Sequence, residues 1–184
     1  MNLTKDQFHR ILPLATAERI EEFYPRAVSA MEGAAIVTPL RIAHFLAQVG
    51  HECCDLLYLE EIADGSAYEG RRDLGNVFPG DGKRFKGRGL IQLTGRENYE
   101  CYGYFANEDF ISHPEQISLS PLHAVSVATW FWTNHQLNSL ADKDDAIGIT
   151  KRVNGATRGL PDRQARLERA KKILFSEPTP TINA

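Results

Sequence analysis

Residues 38–52 read Thr38-Pro39-Leu40-Arg41-Ile42-Ala43-His44-Phe45-Leu46-Ala47-Gln48-Val49-Gly50-His51-Glu52. Thr38 followed by Pro39 is an N-cap and first-turn pair, so a helix opens here. Ile42, Phe45, Leu46 and Val49 then recur at helical spacing and form an apolar face. Val49, Phe45 and Ile42 precede Glu52 by three, seven and ten positions. That spacing places Glu52 on the buried face, at the C-terminal end of the helix. Partial desolvation and the negative helix end both favour a protonated carboxyl there, the form a general acid needs. By composition alone, a Glu at a helix end paired with Arg or Lys is the plainer reading.

Nine positions downstream stands a second carboxylate, Glu61. Cleavage of a glycosidic bond typically takes one acid to protonate the leaving oxygen and a second carboxylate to act at the sugar carbon. The run Lys86-Gly87-Arg88-Gly89-Leu90-Ile91-Gln92-Leu93-Thr94-Gly95 allows close backbone approach, and its Gln92 and Thr94 can hydrogen-bond a sugar or a water. After Cys53 the chain reads Asp55-Leu56-Leu57-Tyr58-Leu59-Glu60-Glu61, so the helix ends and the chain turns, which lets Glu61 face Glu52 across a groove. Inversion at the sugar carbon calls for a gap of about 6.5–9.5 Å between such groups. Glu60 and Glu61 point in different directions, one of them to solvent, and Glu60 and Glu69 stay open as rival bases.

The rest of the chain reads as mostly helix. Thr4 with Gln7 forms a capping box for a short helix that Pro13 stops. A second helix is expected over 17–31, with Pro25 kinking or splitting it. Ser120-Pro121 opens a helix over 123–135, Asp144 or Asp145 caps a short one to Arg152, and Pro161 opens a last one through Leu174. Glycines 65, 70, 75, 80, 82, 87 and 89 break up the stretch from Ile62 to Leu93. A few short strands or a hairpin are expected near Arg84-Phe85-Lys86 and Leu90-Ile91-Gln92. An irregular segment this long inside a compact domain is usually functional or mobile, and here it is taken as one wall of a cleft. The domain is expected to span 1–176, followed by a flexible tail at 177–184.

With 184 residues the chain is long enough for one domain with a sizeable core, and a net charge of -3 argues against a nucleic-acid partner. There are three cysteines, Cys53, Cys54 and Cys101; the odd number argues against a full disulfide framework, adjacent Cys53 and Cys54 would rarely bridge each other, and all read as reduced thiols. The N-terminus has no signal-peptide core, and no apolar run is long enough to span a bilayer.

The segment Ala43-His44-Phe45-Leu46-Ala47-Gln48-Val49-Gly50-His51-Glu52 resembles the catalytic helix of glycoside hydrolase family 19. Gly87-Arg88-Gly89-Leu90-Ile91-Gln92-Leu93-Thr94 with Asn98-Tyr99 resembles that family's second signature, and Val153-Asn154-Gly155 makes a third match. The similarity spans most of 38–174 and looks closest to the compact phage and prophage endolysins, which degrade peptidoglycan. Tyr68-Glu69-Gly70-Arg71, Leu74-Gly75-Asn76 and Pro79-Gly80-Asp81-Gly82 look like that branch too. The resemblance implies a mainly α-helical, α+β lysozyme-like fold, two-lobed around a central substrate cleft, with at most a small β-hairpin. It implies Glu52 as acid, Glu61 as general base and Thr94 as a hydroxyl holding the attacking water. Gln92, Asn98, Tyr99 and Asn154 would bind sugar, and Arg163 would support the carboxylates at the substrate site. Single-step inversion with no metal or cofactor is implied as well. So is synthesis in a host cytoplasm with delivery to the periplasm and cell wall by a holin-type route, and a monomer is the economical expectation. Plant members keep a longer gap between their two carboxylates, so the choice of Glu61 rests on the lysin branch. Cys53-Cys54 replaces the small or hydroxylated residues usual after the acid, and Asn154-Gly155-Ala156 lacks the common second glycine.

Other features have plainer explanations. His44, His51, Cys53 and Cys54 fit neither a His-Glu-x-x-His nor a paired Cys-x-x-Cys metal site. Trp130-Phe131-Trp132 reads as core, which leaves Tyr99 and Tyr102 as the aromatic candidates for the groove. The last helix carries Arg163, Arg166, Arg169, Lys171 and Lys172 against Asp162 and Glu168. A solvated face explains this, and attraction to an outer membrane or anionic envelope surface is the functional alternative. A chitinase and a catalytically inactive wall-binding module are the competing functions.

Overall fold

The computed structural model describes residues 3–176, so the tail expected at 177–184 lies outside the described residues. The chain begins with α1 (Lys5–Ile11), α2 (Ala17–Gly33) and α3 (Pro39–Glu52). An irregular stretch follows, holding two short 3₁₀ turns, Ser66–Tyr68 and Arg72–Leu74, and α4 (Asp81–Arg84). Then come α5 (Arg96–Ala106), α6 (Gln116–Leu119), α7 (Pro121–Asn134), α8 (Leu137–Ala141), α9 (Ala146–Asn154) and α10 (Leu160–Ser176). The fold is the mainly α-helical, lysozyme-like one. Among the described residues no helix is long and apolar enough to cross a membrane.

The expected caps are in place. Thr4 and Gln7 close a capping box on α1, and Thr38, Ser120 and Asp145 accept the backbone N–H groups of Arg41, His123 and Gly148. Each satisfies an amide that a helix start leaves unpaired. Pro25 neither ends nor splits α2; it occupies an exposed position inside the helix, where water can serve the carbonyl it leaves unpaired. The expected hairpin is absent. Arg84 closes α4, and the pairing reduces to isolated bridges between Glu60 and Arg88 and between Arg88 and Leu93.

α3 is the central element. Every residue from Ile42 to Gly50 is buried, so the helix is enclosed on all sides rather than along one stripe. α10 runs along it, and α8 and α9 also touch it, while α2 packs on α7. Its buried polar side chains reach other elements: His44 Nε2 lies 2.7 Å from Asp144 Oδ1, and Gln48 Oε1 accepts from Arg163. Gly50 makes the close approach possible, since a Cβ there would lie 2.9 Å from Asp55 Oδ1 and 3.0 Å from both Arg166 Nη1 and Leu12 Cδ2. One hydrophobic core runs from Leu3 to Ile173, and Phe45 meets Trp132 edge-on within it at 5.3 Å.

α3 ends at a turn built from three consecutive non-glycine residues in the left-handed region: Cys54 (φ 50°), Asp55 (φ 54°) and Leu56 (φ 71°). Left-handed backbone costs such residues about 1–2 kcal/mol each. Leu56 is fully buried, and the Asp55 carboxylate pairs with Arg166 and accepts from Leu14 N at 3.3 Å. Cys53 Sγ accepts from Leu56 N at 3.2 Å. These contacts hold the turn that sends the chain toward Glu61.

Candidate active site

Glu52, the last residue of α3, has a side chain only 16% exposed, and Arg163 of α10 has one 2% exposed. The Arg163 Nη2 donates to Glu52 Oε1, and its Nη1 donates to Gln48 Oε1. The guanidinium stands where the family resemblance implied a basic support for the carboxylates. It fixes one carboxylate oxygen of Glu52 and leaves the other toward the cleft. Beside this pair, His51 Nδ1 lies 2.7 Å from Asp162 Oδ2, and Arg166 Nε donates to the same oxygen at 2.7 Å. Burial alone would raise Asp162, but His51 and Arg166 outweigh it and hold its carboxyl below the usual range. Through Arg166 and Asp55 this network ties the end of α3 to α10.

Glu61 is fixed from two directions. Its carboxylate accepts from Tyr68 Oη at 2.9 Å and from Gly87 N at 3.1 Å. Its own amide donates to Gly87 O at 2.8 Å, and Lys86 Nζ donates to its carbonyl at 3.1 Å. Burial, and then the Glu61 carboxylate, push the Tyr68 hydroxyl up, so it stays a donor. Gly87 leaves room for this; a Cβ there would lie 2.9 Å from Gln92 Oε1.

The rival carboxylates have other partners. Glu60 meets Lys86 Nζ at 3.0 Å, Arg88 Nη2 at 3.2 Å and Ser118 Oγ at 3.3 Å, so it is paired rather than free in solvent. Burial would raise Glu60, but Lys86 and Arg88 prevail and keep it low. Glu69 accepts from Gly80 N at 2.7 Å and Gly82 N at 2.9 Å, bracing the glycine-rich loop. Asp81 braces the same loop from within, accepting from Val77 N, Phe78 N and both ends of the Arg96 guanidinium. The long irregular segment is thus held by polar side chains bonded to its own backbone and to Arg96.

Glu52 and Glu61 line the same cleft, of about 880 Å³, together with Thr94, Gln92, Asn98 and Asn154. Thr94 Oγ1 donates to Gln92 O at 2.9 Å, which leaves its lone pairs for a ligand. Asn98 Nδ2 donates to Thr94 O at 2.7 Å. Gln92 has φ 54°, and its Nε2 donates to Gly89 O at 3.1 Å. Both polar atoms of Asn154 serve the following loop: Nδ2 donates to Arg158 O at 2.7 Å and Oδ1 accepts from Ala156 N at 2.9 Å.

Two expected sugar-binding residues lie elsewhere. Tyr99 is fully buried beneath the cleft-lining segment, its ring 5.2 Å from Phe85 and its hydroxyl donating to Lys86 O at 2.5 Å. Burial pushes that hydroxyl up. Tyr102 is equally buried, stacked on Phe110 at 5.0 Å. Both rings are core, because helical spacing on α5 turns them inward. Arg163 lies behind Glu52 and does not line the cleft.

Trp130 and Trp132 are core as expected, while Phe131 between them lines the cleft and stacks on His135 at 3.9 Å. Tyr68, Arg71, Arg152 and Arg158 also line the cleft without having been singled out for it. Tyr68 and Arg71 lay in a stretch quoted only for its family likeness, Arg152 was read only as the end of a helix, and Arg158 carried no motif to mark it. Most of the basic side chains named on the last helix have partners, while Lys172 is exposed. Arg163 pairs with Glu52, Arg166 with Asp55 and Asp162, and Lys171 with Asp144 and Glu168. Arg169 donates to Ile11 O at 3.1 Å, which ties α10 to α1. The histidines and cysteines are dispersed in the same way, and no group of three or more metal-ligand side chains occurs among the described residues. Cys53 is buried and its thiol is pushed up to about 12 by burial, Cys54 is partly buried and Cys101 is exposed.

Residues 26–158 match the family model described as chitinase class I. A glycosyl hydrolase family 19 domain-containing protein of Haemophilus influenzae is 26% identical over 208 residues, covering 96% of this chain and 99% of that protein. An endochitinase of Arabidopsis thaliana is 36% identical over 121 residues, which cover 65% of this chain but only 40% of the plant protein. In backbone, chitinase C from Streptomyces griseus superposes with a TM-score of 0.76 at 21% identity, covering 99% of this chain and 80% of that one.

Proposed function

This chain belongs to the class I chitinase family, glycoside hydrolase family 19, as a chitinase-like hydrolase of glycosidic bonds, and we propose that it acts as an endolysin. Its substrate in this reading is the glycan strand of bacterial peptidoglycan, cut at β-1,4 linkages between N-acetylmuramic acid and N-acetylglucosamine. The observation that carries the catalytic reading is the joint presence of Glu52 and Glu61 in one cleft, each held by its own set of donors.

In this mechanism Glu52 protonates the leaving oxygen. Arg163 holds one carboxylate oxygen, which leaves Oε2 to meet the glycosidic oxygen. Glycan filling the cleft displaces water and sets the glycosidic oxygen against that free carboxyl oxygen. Glu61, oriented by Tyr68 and Gly87, takes a proton from a water that also bonds Thr94. Attack by that water at the sugar carbon, on the face away from the leaving group, inverts the centre in a single step. Gln92, Asn98 and the loop after Asn154 bind the sugars. The enzyme works as a monomer and reaches the wall from the cytoplasm of the cell that makes it.

The lysin reading draws support from the likeness to compact endolysins and from the end-to-end match to a bacterial relative of similar length. A chitinase acting on N-acetylglucosamine polymers is the second reading, favoured by the names of the plant relatives. Purified murein and colloidal chitin separate them. Soluble muropeptides with new reducing ends, identified by mass spectrometry, are expected from murein. Faster release from chitin points to the chitinase, and sedimentation with murein without any fragments points to a binding module.

A further inference from the structure

Three arginines line the cleft, and they differ in one respect. Arg71 is neutralised by Asp73, with hydrogen bonds of 2.7 and 2.5 Å. Arg152 and Arg158 are exposed, and neither has a carboxylate within ion-pair distance among the described residues. Arg152 Nη1 donates to the carbonyl of His135 at 3.3 Å, a weak contact that leaves most of its fork open. With Glu52 matched by Arg163 and Asp73 by Arg71, the charges left in the cleft are Glu61 and these two guanidinium groups.

A neutral polymer of N-acetylglucosamine gains little from two unpaired guanidinium groups. A muramyl peptide differs in that its stem carries free carboxylates, which match the planar fork of arginine in charge and geometry. Resting on the peptidoglycan reading above, we propose that Arg152 and Arg158 read the carboxylates of the muramyl-peptide stem and set the preference for anionic over neutral glycan.

The fold supports a fixed reader at this point. Arg152 belongs to the last turn of α9, and Arg158 lies in the loop that follows. Asn154 braces that loop at Ala156 N and Arg158 O, and Arg163 Nε donates to the same carbonyl of Arg158 at 3.4 Å. Arg163 therefore anchors both the backbone of Arg158 and the carboxylate of Glu52. The charge reader and the proton donor share one support, so a stem carboxylate held by Arg158 fixes the glycan relative to the acid.

The test is calorimetric titration of the intact protein with a murein disaccharide-tetrapeptide and with the same fragment amidated at its carboxylates. The acid is expected to bind about tenfold more tightly than the amide, in keeping with one net charge-assisted hydrogen-bonded pair. The gap should narrow as salt rises. The double variant Arg152→Gln, Arg158→Gln should lose that gap, and Arg152→Lys, Arg158→Lys should recover part of it. Equal wild-type affinities for acid and amide, or equal losses on both in the glutamine variant, overturn the assignment. A preference for the acid in a protein that cleaves chitin but not murein supports the arginine assignment and removes the lysin reading. Murein cleavage without that preference removes the arginine assignment alone.

Discussion

Arg163 of α10 is hydrogen-bonded to Glu52 at the end of α3, across 111 positions of chain, with both side chains largely buried. Arg163→Ala should therefore do two things. It leaves a buried carboxylate without its partner, at a cost of about 3 kcal/mol. It also frees the acid to rotate and lowers turnover by about a hundredfold or more. Glu52→Gln keeps an acceptor for Arg163, so its stability should stay within about 1 kcal/mol of the parent while activity is lost. Denaturant melts alongside turnover on a soluble oligosaccharide separate the two effects.

The choice of Glu61 over Glu60 is open to direct measurement. Glu61→Gln should lower kcat by about 10²–10⁴-fold. Tyr68→Phe removes one of the two donors to that carboxylate and should cost about tenfold. Glu60→Gln loses a half-exposed pairing with Lys86 and Arg88, worth no more than about 1 kcal/mol, and should leave kcat near the parent value. A large kcat loss in the Glu60 variant with Glu61→Gln active would reverse the assignment.

Tyr99 makes a contrasting case. Its hydroxyl joins Lys86 O and Arg88 Nη1 inside the protein, at 2.5 and 3.1 Å. Tyr99→Phe is expected to destabilise by about 1–2 kcal/mol through loss of a buried hydrogen bond, with KM changed less than about twofold. A rise in KM without loss of stability would return Tyr99 to the sugar site.

Much of this was legible in the sequence, for physical reasons. Thr38-Pro39 and the spacing from Ile42 to Glu52 fixed α3, because capping and helical period are local properties. α5 was missed because it starts after Gly95, which has no side chain to cap it. Tyr99 was misplaced because nearness in sequence to Gln92 and Thr94 does not say which way a helical side chain turns. Arg163 was marked as a support for the carboxylates by family likeness alone, while its place behind Glu52 and the pairing of Arg166 with Asp55 depend on how α10 lies against α3. The turn at Cys54-Asp55-Leu56 carries no glycine to announce it; tertiary contacts to Arg166 and Leu14 impose it.

His44 predicts a pH response. Burial lowers its pKa, against the pull of Asp144, and its Nδ1 is buried with no hydrogen-bond partner. With a folded pKa below the unfolded value of about 6.5, the unfolded chain binds the proton first as pH falls. Stability is thus full above that pH and declines below it, by at most about 1.4 kcal/mol per pH unit, until the folded state also protonates. Urea midpoints measured from pH 7.5 down to pH 5 should show this decline. His44→Gln should be less stable at pH 7.5 and should flatten the slope. An unchanged slope would assign the decline to other groups.

Two substitutions in the left-handed turn should move stability in opposite directions. Cys54 has φ 50° and is only partly buried. Glycine there relieves about 1–2 kcal/mol of backbone strain, set against about 0.5–1 kcal/mol of added chain entropy, so Cys54→Gly should gain about 0.5 kcal/mol. Leu56 has φ 71° and is wholly buried. Leu56→Gly relieves similar strain but forfeits a packed side chain worth about 3–5 kcal/mol, so it should lose about 2 kcal/mol or more. Burial outweighs strain at Leu56 and not at Cys54, which accounts for a turn that persists without glycine. Denaturation midpoints of the two variants check the balance: stabilisation of both would mean that strain dominates the turn, and destabilisation of both would mean that packing dominates it throughout.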